Sequence, residues 1–153
     1  MSVRDGYIPL KSLDELGNPI VERPIVLPDN RKFLVKMRGL TEAEMRAMRA
    51  KVPWPESPTD MVRNPTTKQV ERVPLTSGPA YQQYQTATEE ANGKLMKHCL
   101  LISLQVPVPG ATEEEQVTYL ENQLGSVALL QLMNHFNSLQ MISAEDIEAA
   151  KNP

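Results

Sequence analysis

The chain has 153 residues, of which 41% are apolar, and its formal net charge is −3, as is typical of one soluble globular domain. Its single cysteine cannot form an internal disulfide, and no basic stretch followed by an apolar one opens the sequence, so we do not expect secretion. The longest apolar run, at residues 99–104, is far shorter than the roughly 20 residues that span a bilayer, so we expect a cytosolic protein without a membrane segment.

The first predicted elements are an extended arm and a β-hairpin. Glycine and proline interrupt residues 1–23 too often for a regular element, so this arm is predicted to be extended. Two short apolar runs, 24–27 and 32–37, flank a turn sequence at 28–31, and together they predict a hairpin over 24–38. Phe33, Val35 and Met37 share one face of the second strand and are the expected core side. Two strands alone are marginal in water, so the hairpin must pack on the helices or on another chain.

A capped helix and a proline-rich segment follow the hairpin. Thr41 and Glu44 form a capping box that predicts a helix over 42–52, which Pro53 ends. Six of the thirteen prolines lie in the predicted loop 53–79, which is too long for a plain connection and contains a weak hairpin signal at 61–63 and 69–71. Trp54 stands between two of these prolines, where its ring either pins the loop to the core or contacts a partner.

Helical spacing runs through residues 80–150, which we predict to be a helical bundle. A long helix is expected over about 80–104, and Thr112 opens a second helix that ends at Gly125. A third helix carries an apolar stripe, and Ser143 starts a last short helix. The stripe of the third helix consists of Leu129, Leu132, Met133, Phe136 and Leu139. The predicted fold class is mainly α, a small helical bundle around one long central helix with an N-terminal β-hairpin, in a single domain over 24–150.

The search for chemistry in the sequence gives little. His98 and Cys99 are neighbours and therefore lie about 100° apart on a helix, so they cannot face each other as base and nucleophile. His135 has no second metal-binding side chain at helical spacing and is expected at the surface. Glycine-rich phosphate loops and nucleophile elbows are missing. We therefore predict a protein that is not an enzyme, with no cofactor and no metal.

The charge pattern bears on possible partners. Basic side chains predominate at residues 23–72, whereas 73–153 contains three basic and nine acidic residues. Such halves can attract each other within a molecule or between copies, so self-association is one hypothesis; the alternative is ordinary solvated helix faces. Nucleic-acid binding is not expected, because the basic residues from Arg31 to Arg49 are interleaved with Glu42 and Glu44 and accompanied by one aromatic residue, Phe33.

Several segments resemble tail assembly chaperones of long-tailed, siphophage-type bacteriophages. They are VLPDNRKFLVKMRGLTEAE at 26–44, YQQY at 81–84, EEAN at 89–92 and VPGATEE at 108–114. The resemblance covers roughly residues 24–150, and it rests on the order of elements: a short strand pair, a helix that starts with leucine, threonine and an acidic residue, a proline-rich gap, a long helix and a small helical bundle. The arm at 1–23 has no counterpart in that order.

The resemblance implies a chaperone made in the cytoplasm of the infected host cell. Such a protein would bind the tape measure protein, promote polymerisation of the tail tube protein around it, and not remain in the virion. The resemblance also implies a longer frameshift product of the same gene, and residues 150–152 can be encoded by a slippery heptamer. Two alternatives are a structural head-tail or tail completion subunit of the virion and a helical adaptor or regulator protein.

A chaperone for an apolar partner needs a surface that shields hydrophobic stripes reversibly, and methionine-rich and leucine-rich helix faces supply one. We therefore expect partner binding at Leu129, Leu132, Met133, Phe136 and Trp54. The alternative for the four helical residues is that they close the core against Leu95, Cys99 and Ile102 of the long helix.

Overall fold

The computed structural model describes residues 6–141, and within them the fold is mainly α, with an N-terminal β-hairpin. A 3-10 turn at Leu13–Leu16 precedes the first strand. The strands are β1 (Ile20–Val26), β2 (Lys32–Arg38), β3 (Thr59–Arg63) and β4 (Val70–Pro74), and the helices are α1 (Glu42–Lys51), α2 (Pro79–Ser103), α3 (Glu113–Gln123) and α4 (Ser126–Gln140). The short helix expected from Ser143 lies outside the described residues.

The first hairpin is longer than the sequence predicts. Strand β1 begins at Ile20, so residues 20–23, which were expected in the extended arm, are paired in register with β2 from Arg38 to Val35. The missed residues include charged Glu22 and Arg23, which interrupt the apolar pattern, so their strand conformation is evident only from their pairing with β2. Pro24 is tolerated inside β1 because the strand lies at a sheet edge.

Hydrogen bonds attach the edge of β1 to helix α4. The side-chain amide of Gln131 accepts from the Val26 backbone N–H at 2.9 Å and donates to the Val26 carbonyl at 2.8 Å. The half-buried ring of His135, expected at the surface, lies with Nε2 2.7 Å from the Pro24 carbonyl. These bonds satisfy backbone groups that an isolated strand would leave to water.

The opposite edge of the hairpin is attached to the end of helix α2. Met37 forms a bridge with Leu104, and the Ser103 hydroxyl donates to the Arg38 carbonyl at 2.7 Å. The backbone N–H of Gln105 donates to the Lys36 carbonyl at 3.0 Å. The expectation that the hairpin packs on the helices is therefore confirmed. Of its predicted core face, Met37 is fully buried and Val35 half-buried, whereas Phe33 remains exposed near the turn.

Helix α1 has the predicted start. The Thr41 hydroxyl accepts from the Glu44 N–H at 3.2 Å, and the Glu44 carboxylate accepts from the Thr41 N–H at 2.9 Å. Two further bonds, at 2.9 and 2.8 Å, join Arg38 to the same carboxylate in a bidentate pair. The hydrogen bonds from Arg38, with the Thr41 cap, lower the pKa of Glu44 to about 2.

This carboxylate gives a pH-dependent prediction. Its pKa is about 2 in the folded protein and 4.5 ordinarily, so its stabilisation is complete above about pH 4.5 and lost as the pH falls toward 2. We expect Glu44→Gln to lower the unfolding free energy at pH 7 by about 1–2 kcal/mol, after allowance for partial exposure of the pair. The variant should also lose less stability than the parent between pH 4.5 and pH 2 in urea titrations. An unchanged slope in that window would contradict the prediction.

The predicted loop 53–79 contains a second hairpin, as its weak signal at 61–63 and 69–71 indicated. Strands β3 and β4 pair with Val62 opposite Glu71, and Asn64 stabilises the turn by accepting from the Thr66 N–H at 2.8 Å. Almost all side chains of these strands are exposed, including Met61 and Val70. The segment is therefore not a plain loop, and most apolar side chains of its two strands face solvent.

Helix α2 is the main source of core residues. Its second half buries Met96, Cys99, Leu100 and Ser103, and it packs against α1, α3 and α4. Helix α4 also packs against both strands of the first hairpin. The buried cluster thus joins the hairpin, α1 and the three later helices in one core.

Two glycines allow a matched test of this packing. A Cβ at Gly39 would lie 2.7 Å from Gln140 Oε1, the atom that accepts from the buried Leu40 N–H at 2.6 Å. A Cβ at Gly93, inside α2, meets nothing within 4 Å. We expect Gly39→Ala to destabilise the protein by about 1–2 kcal/mol by displacing Gln140, and Gly93→Ala to stabilise it by about 0.5–1 kcal/mol. Urea midpoints measure both, and equal effects would contradict this packing.

Candidate functional site

The structure places the expected partner-binding stripe of α4 against the core. Phe136 is 2% exposed and Leu132 is 7% exposed, and both belong to the main buried cluster. Leu129 and Met133 are partly buried and pack against the same cluster. The exposed apolar residues of α4 are instead Val127 and Leu130.

The burial of Leu132 and Phe136 agrees with the alternative given for the stripe, and their partner-binding role stays a prediction. An apolar stripe on a helix must be covered, but its spacing does not say whether the cover is the same chain or another protein. Here α2 and the hairpin cover it, so neither side chain is accessible to a partner in this conformation. The other interpretation of the stripe, closure of the core, describes the structure.

Trp54 is the one expected partner-binding residue with a substantial exposed surface. Its ring is 50% exposed, and it lines a groove of about 420 Å³ between the end of α1 and the middle of α2. The other lining residues are Arg49, Val52, Asn92 and Leu95. Trp54 therefore borders the body of the protein without being buried in it.

A polar cluster joins three helices on the neighbouring surface. Glu113, in the first turn of α3, pairs with Lys51 from the last turn of α1, and His98 Nδ1 of α2 lies 2.9 Å from Glu113 Oε1. The hydrogen bond from Lys51, followed by that from His98, lowers the pKa of Glu113. The cluster fixes the ends of the helices relative to one another. No local pattern predicts this cluster, because Lys51 and Glu113 are 62 residues apart.

Cys99 does not share this cluster with its neighbour His98. The thiol is 1% exposed, it lies 3.9 Å from the Met45 sulfur, and burial raises its pKa to about 11. A thiolate is the reactive form of cysteine, so this side chain is a packing residue at neutral pH. The expectation that His98 and Cys99 face different ways is confirmed.

Other exposed apolar side chains lie near the N-terminal end of the described chain and on the first hairpin. They are Tyr7, Ile8, Leu10, Leu13, Leu16, Ile20, Val26, Phe33 and Leu34. Contiguous apolar patches mark surfaces that bind other proteins, whereas single exposed apolar side chains are ordinary.

Between residues 6 and 141, no three His, Cys, Asp or Glu side chains are grouped so that they could hold a metal ion. None of the helices in the same range has the length and apolar character needed to cross a bilayer.

Comparisons with protein-family models, curated proteins and solved structures found no match to this chain.

Proposed function

We propose that this chain is a tail assembly chaperone of a long-tailed, siphophage-type bacteriophage. In the host cell cytoplasm it would bind the tape measure protein and promote polymerisation of the tail tube protein around it, and it would not remain in the virion. The observation that carries the proposal is the order of elements: a hairpin, a helix capped at Thr41, a proline-rich segment, a long helix and further helices. This order agrees with the one that the resemblance implies.

The arrangement of the helices also supports the proposal. We infer a small bundle in which α1, α3 and α4 surround the long helix α2, since each of them packs against α2. Such a rigid body can present apolar side chains of the hairpins and of the Trp54 groove to an apolar client. Shielding of that kind must be reversible if the chaperone is to leave, and exposed single side chains on a folded body suit weak, reversible contacts better than an opened core.

Co-expression tests the interaction with the client. The tape measure protein encoded beside this chain is produced alone, with the parent chain and with the double variant Trp54→Ala and Leu34→Ala, both positions being exposed. We expect the parent to keep the tape measure protein in the soluble fraction and to co-purify with it, and the variant to do so less. No effect of the parent on solubility or recovery would contradict the proposal.

The remaining partners of the proposal are the tail tube protein, the longer frameshift product and other copies of the chain. The product of a frameshift is detected by mass spectrometry as a second, longer polypeptide that shares these residues. Self-association through opposite charges is tested by light scattering at low and high salt, where attraction between copies should raise the apparent mass only at low salt.

A further inference from the structure

The groove beside Trp54 has the composition of a small peptide-docking site. Its walls are two single helical turns that face each other: Arg49 and Val52 at the end of α1, and Asn92 and Leu95 on α2. Val52 is buried and Leu95 half-buried, so the floor is aliphatic, while the half-exposed Trp54 ring forms one rim. A volume of about 420 Å³ is enough for one or two side chains of an incoming segment, but not for a whole helix.

The backbone of the rim residue is restricted before any partner arrives. Trp54 lies between Pro53 and Pro55, whose rings fix their own φ angles and restrict the residue that precedes each of them. A residue whose backbone is already restricted loses less conformational freedom on binding. Tryptophan is also among the residues that most often dominate binding energy at interfaces.

One cation in the groove, Arg49, forms no salt bridge within the described chain. Among residues 6–141, the salt bridges of Arg and Lys join Arg31, Arg38, Arg46, Lys51 and Lys97 to carboxylates, whereas the exposed Arg49 guanidinium has no such partner. A guanidinium beside an apolar floor favours a ligand that combines an apolar group with a carboxylate, because that ligand satisfies both surfaces.

We propose that the groove formed by Arg49, Val52, Trp54, Asn92 and Leu95 binds an acidic amphipathic segment of a partner protein. One apolar side chain of that segment enters the groove beside Trp54, and a carboxylate within a turn of it pairs with Arg49, while the Asn92 amide is available to a backbone group. The identification of this partner as the tape measure protein rests on the proposed function; the chemistry of the segment does not.

The only tryptophan of the chain reports directly on this groove, since Trp54 is part of its wall. The probes are two designed helical peptides of about 15 residues, which differ only in that every glutamate of the first is glutamine in the second. Each peptide is titrated into the full chain up to about 1 mM, the range of weak single-anchor contacts. We expect the acidic peptide to shift the emission of Trp54 in a saturable manner. The affinity should be at least tenfold lower for the glutamine peptide, and at least tenfold lower for the acidic peptide in 0.5 M salt.

Variants on one helix separate the groove from general charge effects. Arg49→Glu should abolish the response and Arg49→Lys should restore part of it. Arg46→Gln, one turn earlier with a side chain that is 74% exposed, removes a cation without placing a new carboxylate beside Arg49, and it should leave the response within about twofold. Circular dichroism confirms that each variant is folded. The proposal is overturned if neither peptide changes the emission, or if both bind equally and Arg49→Glu has no effect.

A second titration distinguishes this proposal from the proposed function. Overlapping 20-residue peptides that cover the tape measure protein are added to the chain under the same conditions. Response to an acidic tape measure peptide, lost in Arg49→Glu, supports both. Response to the designed peptide with none to any tape measure peptide supports the groove and counts against the tape measure protein as its occupant.

Discussion

Replacing Phe136 by glutamate is expected to unfold the protein. The ring is 2% exposed in the core that joins α4 to α2 and the hairpin, and truncation of a buried Phe alone costs about 3–5 kcal/mol. A carboxylate at the same place must also give up its hydration without a partner. Together, the loss of the ring and the burial of the carboxylate cost nearly the whole free energy of unfolding of a small domain, about 5–15 kcal/mol. The folded population should therefore be lost or severely reduced. Leu132→Glu should act in the same direction.

The matched control lies on the same helix. Leu130 is 58% exposed, so Leu130→Glu should remain folded and change the unfolding free energy by no more than about 0.5 kcal/mol. Cys99 supplies the measurement: its thiol is buried and its pKa is raised to about 11, so a thiol reagent should react slowly with the parent and with Leu130→Glu. It should react rapidly with Phe136→Glu. If Phe136→Glu kept a protected thiol and a native circular dichroism spectrum, the apolar stripe of α4 would lie at the surface and not in the core.

Met37→Ala is the second substitution with a large expected effect. The side chain is fully buried where β2 meets the end of α2, and truncation there leaves a cavity that neighbouring groups fill only partly. We expect a loss of about 2–5 kcal/mol in unfolding free energy from urea titration. The physical reason is that the hairpin has too few strands to be stable alone and depends on this contact.

Leu34 provides the comparison for Met37. It lies on the same strand but on the opposite face and is 69% exposed, so Leu34→Ala should cost about 0.5 kcal/mol or less. If the two alanine variants had equal stability, β2 would not be anchored to the core by Met37. Amide hydrogen exchange in β1 and β2 gives a further readout, because release of the hairpin should lower protection there before the helices lose it.

The features that the sequence predicted well are local ones. The helix starts at Thr41 and Thr112 depend on a hydroxyl and on backbone groups within three residues, and both hydroxyls accept the expected N–H bond. The end of α1 before Pro53 and the weak hairpin after it also follow from adjacent residues. In each case the residues that determine the local structure lie within a few positions of one another in the sequence.

The features that were missed depend on residues far apart in the chain. The first four residues of β1 were assigned to the arm, because their pairing with β2 is not visible in their own composition. The bonds of Gln131 and His135 to the hairpin join residues more than 100 positions apart. The apolar stripe of α4 was correctly placed on one helix face, but periodicity gives no information about which surface covers it.

The candidate site was predicted only in part, because it too depends on residues that are far apart in the chain. The position of Trp54 between prolines marked it as a residue that either anchors the loop or meets a partner, and the structure leaves half of its ring exposed. The groove itself required the crossing of α1 and α2, which brings Arg49 and Leu95 to opposite walls. No local motif encodes that crossing, since it is set by the packing of the whole core.

The proposed function is tested most directly by comparing infected-cell extract with finished phage particles. An affinity-tagged form of this chain is expressed during infection, and quantitative mass spectrometry follows it in both fractions. We predict that it recovers the tape measure and tail tube proteins from the extract and is missing from purified virions. Presence in virions at a fixed number per tail would contradict the chaperone and identify a structural subunit, and recovery of neither tail protein would point to an adaptor or regulator.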